Sequence, residues 1–292
     1  MAWRVIFQEP VFGCVENEKS PIGVVGIPID HTSTYRPGSR FAPAKIREAS
    51  CNIELYSLIS NLFLDNVGFR DYFDLQLPPS DIEHVSNYVR IGLKNILEEH
   101  RGLLIILGGE HLLTYFSVKS MFKDIDTLVI FDAHLDTRKE YLGSTLNHAT
   151  FLRRLLEEYS DLNVVHIGSR AYSREEIEFI SKKCVKSFNV IRIQRRELSF
   201  KDLGRIYISV DMDVFDPAYA PGVSSPEPFG IDPIVFMDIL KHIYESSSKI
   251  VAVDIVEVNP LIDPSNITST LAAKIVLEVS GLYIVRHKEE QM

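Results

Sequence analysis

Four short segments of this chain bring acids and imidazoles together: Gly108-Gly109-Glu110-His111, Asp132-Ala133-His134-Leu135-Asp136, Asp211-Met212-Asp213 and Val253-Asp254-Ile255-Val256-Glu257. Each follows or ends a short apolar run, namely Leu103–Leu107, Thr127–Phe131, Ile206–Val210 and Ile250–Ala252. In extended chain alternate residues point to one side, so Asp132, His134 and Asp136 are expected to share a face, as are Asp211 and Asp213. Carboxylates crowded in this way repel and lose hydration unless positive charge sits among them. Two divalent cations about 3.5–4 Å apart, sharing carboxylates and a water, resolve that conflict. Oxygen-rich donors with two imidazoles suit manganese or a neighbouring first-row ion better than magnesium or structural zinc. Any one motif alone reads equally well as solvated loop acids; the same pattern at several strand ends does not.

The elements that must position these residues follow from periodicity. Gly23–Ile27, Leu103–Leu107, Thr127–Phe131, Val164–Ile167, Val190–Ile193, Ile206–Val210 and Ile250–Ile255 are expected strands. Most are continuously apolar, as strands buried on both faces of a parallel sheet are. Helix-like segments alternate with them: Ser80 to His100, with Ser80 and Glu83 as an expected capping box, then Thr150 to Tyr159, Ser173 to Lys182, Asp232 to Tyr244 and Asn266 to Tyr283. The alternation predicts an α/β fold, a single three-layer α/β/α domain over residues 1–292 with a mostly parallel central sheet. Ligands of such folds bind beyond the carboxyl ends of the strands, which is where the four segments lie.

GGEH, DAHLD and SVDMDVFDP, in this order and spacing and with EVNP further on, resemble the ureohydrolase family of arginases and agmatinases. The likeness extends to Tyr35-Arg36-Pro37-Gly38-Ser39-Arg40-Phe41-Ala42-Pro43 and Ile46-Arg47-Glu48-Ala49-Ser50, and so covers most of the chain. It implies two Mn2+ per chain. One would be held by His111, Asp132, Asp136 and Asp211 and the other by Asp132, His134, Asp211 and Asp213, with Asp132 and Asp211 bridging. It also implies a catalytic role for Glu257, as the carboxylate that holds a guanidinium, and for His148, as a proton shuttle.

The implied chemistry has a physical reason. A guanidinium is cationic and resonance-stabilised, so neutral water attacks it poorly; two metals bring a bridging water towards hydroxide at neutral pH. A carboxylate can hold the planar cation bidentately, and the expelled amine needs a proton, for which Asp136 and His148 are the candidates. Asp254 reads either as an acid orienting a ligand or as a structural one. His31, His84, His100, His166, His242 and His287 belong to no motif and are expected to be ordinary.

The substrate turns on the stretch after the second metal motif, Thr137-Arg138-Lys139-Glu140-Tyr141-Leu142-Gly143-Ser144-Thr145-Leu146, which lacks the Asn/Thr/Ser-rich pattern of arginases and resembles that of compact prokaryotic agmatinases. The expected reaction is therefore agmatine plus water to putrescine plus urea. Guanidinobutyrase or arginase chemistry is the alternative, and Arg138 and Lys139 would favour a guanidino acid if they point inward. Leu112, Ala149, Ser224 and Ser225 depart from the family pattern around the pocket. A metallophosphatase would show a GNH segment, and deacetylase-like relatives of the fold class keep one zinc with fewer acids. A non-catalytic metal-binding oligomer would need neither His148 nor Glu257.

Composition bounds the rest. The 292 residues carry 31 basic and 40 acidic side chains, a formal charge of −9, which argues against a nucleic-acid surface and suits a cationic small molecule. No window of about 18 uncharged apolar residues and no secretory h-region is evident, so no membrane partner is expected. Cys14, Cys51 and Cys184 are few and widely spaced and are expected as free thiols in a reducing cytoplasm. By the family resemblance a homo-oligomer, trimer or hexamer, is expected.

Overall fold

The structure is a computed structural model that describes residues 10–183 and 185–291, with the side chains of 289–291 excepted. The first nine residues and Cys184 lie outside the described residues, and so do the expectations placed on them. In chain order the elements are β1 (Ile22–Ile27), α1 (Ala42–Ser50), β2 (Tyr56–Ser57), β3 (Leu62–Phe63), β4 (Arg70–Asp74), α2 (Ile82–Glu99), β5 (Leu103–Gly108), α3 (Leu112–Met121) and β6 (Thr127–Phe131). Then follow α4 (Phe151–Glu158), β7 (Asn163–Ile167), α5 (Arg174–Ile180), β8 (Val185–Phe188), α6 (Val190–Gln194), β9 (Gly204–Asp211), α7 (Pro233–Ser246), β10 (Ser247–Val256) and α8 (Ile267–Gln291).

Eight strands form one sheet in the order β4-β1-β5-β10-β9-β6-β7-β8, and every pairing in it is parallel. The short β2–β3 pair, in a separate two-stranded sheet, is antiparallel. The period of two sorts the apolar strands onto two cores. Leu103, Ile105 and Leu107 face one core with Ile46 of α1, Phe236 of α7 and Ala273 of α8. Leu104 and Ile106 face the other with Val89 of α2, Leu113 of α3 and Leu152 of α4. This is the expected three-layer α/β/α arrangement, with β5, β10, β9 and β6 adjacent at its centre.

Several local expectations are corrected. Val190–Ile193, expected as a strand, is helix α6: the Asn189 side chain caps it by accepting from Arg192 N (3.0 Å), and the strand of this region is β8, just upstream. Ile193 is buried and Ile191 is half exposed, so the apolar run is amphipathic and not two-sided. Helix α2 is capped by Asp81, whose Oδ1 accepts from His84 N at 2.9 Å, in place of the Ser80–Glu83 box. The expected Ser173 start of α5 does carry a complete capping box with Glu176.

Cys14 and Cys51 form a disulfide, with Cα atoms 5.2 Å apart, where free thiols were expected. Gly13 N donates to Ser50 Oγ (2.7 Å) and Phe12 N to Asp71 Oδ2 (2.9 Å), which lays the 12–14 turn against the end of α1 and brings the sulfurs together. A separation of 37 residues carried no signal of that contact, and the bond removes the thiol argument for a reducing compartment. The stretch Ile267–Lys288 of α8 is long and apolar enough to cross a membrane by length and composition, contrary to the expectation that no window approaches this. Most of it is buried in the fold, and its Lys274 and Glu278 pair at 3.1 Å.

Candidate active site and metal centre

Four adjacent strands deliver the acids and imidazoles to one end of the sheet. β5 leads through Gly108-Gly109 to Glu110 and His111, β6 to Asp132, β9 ends on Asp211, and β10 leads to Glu257. The crossing at Gly109 is tight: a Cβ there would lie 1.7 Å from Ile29 O, so only glycine lets the β5 turn pass. Glu110 N then donates to Ile29 O (2.7 Å) and Glu257 N to Gly109 O (2.8 Å), which ties the β1, β5 and β10 ends together.

His111 Nδ1 lies 3.1 Å from Asp132 Oδ2, 3.3 Å from Asp136 Oδ2 and 3.2 Å from Asp211 Oδ2. His134 Nδ1 lies 2.8 Å from Asp213 Oδ2 and 3.6 Å from Asp132 Oδ1. Two candidate metal-holding sets result, His111–Asp132–Asp211 and Asp132–His134–Asp213, with Asp132 common to both. The backbone prepares them by holding one oxygen of each bridging-side acid. His134 N donates to Asp132 Oδ1 (2.6 Å), Asp213 N to Asp211 Oδ1 (2.8 Å) and Ala133 N to Asp213 Oδ1 (3.0 Å). The second oxygens turn to the imidazoles.

The extended alternation expected for these motifs is only partly followed. Asp136 has φ 47°, in the left-handed region, and Asp213 sits in a 3-10 turn after the end of β9. Both carboxylates still converge, through a turned backbone and not through a flat strand. Glu257 also has a positive φ of 64°; two non-glycine residues held there at one site is strain of the kind that surrounding structure must enforce.

Electrostatics show how charged the centre is. Burial alone would lower both imidazoles, but the Asp132, Asp136 and Asp211 carboxylates hold His111 well above its usual value, and Asp213 and Asp132 do the same for His134. Burial and the neighbouring Asp213 and Asp132 push Asp211 well up, and burial with Asp132 takes Asp136 up to about 7. His111 Nδ1 and Asp132 Oδ2 are buried without a hydrogen-bond partner. Orphaned donor atoms aimed at one another, in a mixed imidazole–carboxylate set, fit divalent metal.

Beneath His111, its Nε2 meets Ser209 Oγ (3.0 Å), which donates to Asp254 Oδ1 (2.6 Å). Tyr207 OH (2.6 Å) and Thr114 Oγ1 (2.8 Å) donate to Asp254 Oδ2. Asp254 is therefore fully satisfied by hydroxyls, and His111 is fixed with Nε2–H inward and Nδ1 to the centre.

Above the centre a cavity of about 510 Å³ is lined by His111, His134, Asp136, Asp211, Asp213, His148 and Glu257, and nearer the mouth by Tyr35, Arg36, Arg138, Tyr141, Tyr172 and Glu227. Glu257 Oε1 accepts from His111 N (2.8 Å). Burial and the adjacent Glu110 push its carboxyl up to about 8, and burial pushes Glu110 up to about 7. Burial, with the nearby His134, pushes His148 down to about 4, so it is neutral at pH 7. Arg138 does line the cavity; it lies over the Tyr141 ring at 5.2 Å, with Nε 3.8 Å from Glu176, whereas Lys139 is exposed. Among the departures, Leu112 is buried at the start of α3, Ser224 Oγ donates to Arg36 O (2.8 Å), and Ala149 and Ser225 line the cavity.

Three residues at the site were given no role from the sequence, although Glu227 falls in Pro226-Glu227-Pro228, a stretch that resembles agmatinases. Thr32 follows β1 and touches both Glu110 and His148. Glu227 Oε1 lies 3.7 Å from His134 Nε2. Arg170, after β7, sends its guanidinium into backbone carbonyls of the site loops, with Nη2 donating to Asp213 O (2.6 Å) and Glu227 O (2.8 Å) and Nε to Pro228 O (2.9 Å). The strand-end rule would have found Thr32 and Arg170 had it been applied to β1 and β7. Of the motif-free histidines, His100 and His166 are core residues and His31, His84 and His242 are exposed.

An all-parallel α/β/α sheet gathers acids and imidazoles at its central strand ends into two sets that could hold metal ions. Residues 20–281 match the model of the arginase family. Agmatinase of Bacillus cereus is 35% identical over 267 residues, covering 90% of this chain and 91% of that protein. The N(1)-aminopropylagmatine ureohydrolase of Thermococcus kodakarensis is 31% identical over 283 residues, covering 92% and 93%. The crystal structure of agmatine ureohydrolase of Thermoplasma volcanium superposes with a TM-score of 0.82 at 35% identity over 99% of each chain. The chain belongs to the arginase family, as an agmatinase-like ureohydrolase.

Proposed function

We propose that this chain hydrolyses agmatine to putrescine and urea with two manganese ions, His111, Asp132, Asp136 and Asp211 holding one and Asp132, His134, Asp211 and Asp213 the other. The observation that carries the reading is one cavity lined together by His111 and Asp211 of one set, His134 and Asp213 of the other, and Asp136, Glu257 and His148, with Asp132 shared by the two sets. When bound, the ion pair supplies a water acidified towards neutrality and the positive charge the carboxylates need.

The chain's own residues do the rest. Glu257 takes the guanidinium: its carboxyl, costly to ionise when buried beside Glu110, ionises against an arriving cation. His111 N–H keeps one Glu257 oxygen fixed, which sets the angle at which the planar cation is held. Asp136 and neutral His148, both on the cavity wall, are the groups that would pass a proton to the leaving amine. Agmatine is favoured because proteins named agmatinases are 34–35% identical to the chain over about 90% of its length, and because the cavity walls are rich in carboxylates.

Arg36 and Arg138 at the mouth support a second reading, a guanidino acid such as guanidinobutyrate, whose far end is a carboxylate. Urea release from agmatine, arginine, guanidinobutyrate and guanidinopropionate by the manganese-loaded chain separates the two. Agmatine should give the highest kcat/KM; a guanidino acid ahead of it selects the second reading, and no urea from any of the four overturns both. Metal analysis should approach two manganese ions per chain. The proposal extends to a single ureohydrolase domain over residues 1–292 that assembles as a cytoplasmic trimer or hexamer, read by light scattering and cell fractionation.

A further inference from the structure

Glu110 is fully buried, and its Oε2 accepts two hydrogen bonds from one residue: Thr32 N at 2.8 Å and Thr32 Oγ1 at 2.8 Å. The same hydroxyl oxygen lies 3.1 Å from His148 N and 3.2 Å from His148 Nδ1. A threonine hydroxyl has one hydrogen and two lone pairs. Its hydrogen goes to Glu110 Oε2, so both contacts with His148 must be ones in which Thr32 accepts, the first from the backbone N–H and the second from Nδ1–H. The assignment does not depend on whether Glu110 is ionised. Oε2 already receives these two donors and, at 3.5 Å, Ser33 Oγ, so a proton on this carboxyl sits on Oε1, which has no hydrogen-bond partner, and Oε2 still accepts.

We infer that Thr32, oriented by Glu110, is a positioning residue that holds His148 as its Nδ1–H tautomer and leaves Nε2 as the ring's open lone pair. The two ring nitrogens are not equivalent, and the hydrogen bond at one decides what the other can do. An imidazole with Nε2 open takes a proton there and returns it from the same atom; the opposite tautomer offers an N–H where a base is wanted. The ring is held from a second side by Tyr141, whose ring lies edge-on at 5.7 Å and 87°. His148 lines the cavity, so the open nitrogen belongs to the group that Proposed function makes a proton carrier, and the inference rests on that reading for its use though not for its geometry.

The test is the ring-nitrogen spectrum of the full chain, labelled with 15N-histidine and freed of paramagnetic metal, with His148 assigned by the signals lost in His148→Gln. Wild type should show a protonated Nδ1 and an unprotonated Nε2, Thr32→Ser should keep that pattern, and Thr32→Val, which keeps the shape and loses the hydroxyl, should mix the tautomers. In the manganese-loaded enzyme at matched metal content, Thr32→Val should lower kcat about 10- to 100-fold with KM little changed, and Thr32→Ser should restore it. An Nε2–H tautomer in wild type, or a Thr32→Val pattern identical to wild type, overturns the inference. If Thr32→Val does not fold, the wild-type spectrum decides the matter: a protonated Nδ1 with an open Nε2 supports the inference and the opposite tautomer overturns it. Full turnover by His148→Gln would instead remove the proton-carrier role and leave the tautomer result standing.

Discussion

His111 and Asp254 share one hydroxyl: Ser209 Oγ stands 3.0 Å from His111 Nε2 and 2.6 Å from Asp254 Oδ1. A carboxylate buried in the sheet thus fixes the ring whose other nitrogen meets three acids of the metal centre. Ser209→Ala removes the link and leaves the acids in place. Affinity for manganese should fall about 10- to 100-fold, measured by calorimetry or by competition with a chelator. Unchanged affinity would mean that packing alone orients His111, for example its contact with Phe151 at 4.4 Å between ring centres.

Glu257 makes the metal-free protein pH-sensitive in a defined direction. Its folded pKa of about 8 stands above the ordinary 4.5, so between those values the native state holds a proton that the unfolded chain has lost. Stability from this group is complete below about 4.5 and falls as pH rises through about 8. Glu257→Gln cannot ionise, so its melting temperature after chelation should fall less steeply over that window than that of wild type. The same variant should lose about 10- to 100-fold in kcat/KM, because a charged hydrogen bond to the guanidinium is gone. Parallel stability slopes in the two proteins would show that Glu257 stays ionised when buried.

The parts legible in the sequence are those governed by local pattern. The runs that became β5, β6 and β9 are apolar apart from Thr127 and Ser209 because both faces of a central parallel strand are covered. Their strand-end acids stood out because the same pattern recurs at several strand ends, which solvated loop acids do not explain. What could not be read depends on long-range contact. Thr32 and His148 lie 116 residues apart and meet only because the loop after β1 and the loop between β6 and α4 fold over the same end of the sheet. Arg170 has no motif because its partners are backbone carbonyls, which every residue has. Val190–Ile193 misled because an apolar run of four residues does not distinguish a strand from one helical turn until Asn189 is seen to cap it.

The Cys14–Cys51 bond closes a loop of 37 residues in sequence. Chain-entropy reasoning gives such a closure about 4 kcal/mol at most. Thiol titration of the denatured, unreduced chain should find two fewer groups than after reduction. Cys51→Ser should lower the melting temperature by several degrees and leave kcat/KM at moderate temperature unchanged, since the bond ties the 12–14 turn to α1, away from the cavity lining. Equal thiol counts before and after reduction would return both cysteines to the free state.

Arg170 offers the sharpest separation between the two metal-holding sets. Its guanidinium spans Gly168 O, Asp213 O, Val214 O, Phe215 O, Glu227 O and Pro228 O, so one side chain pins the turn that carries Asp213 to the loop that carries Glu227. Lysine keeps the charge but has three donors on a flexible stem and cannot reproduce that planar fan. Arg170→Lys should therefore cost about 2–4 kcal/mol of stability through carbonyls left without donors. More tellingly, the damage should fall on the set containing Asp213 and His134 and spare the one containing His111 and Asp211. A manganese titration that is tight for two ions in wild type should keep its first ion and bind the second at least about tenfold more weakly. Equal weakening of both ions would mean that Arg170 supports the sheet end as a whole and not the Asp213 turn.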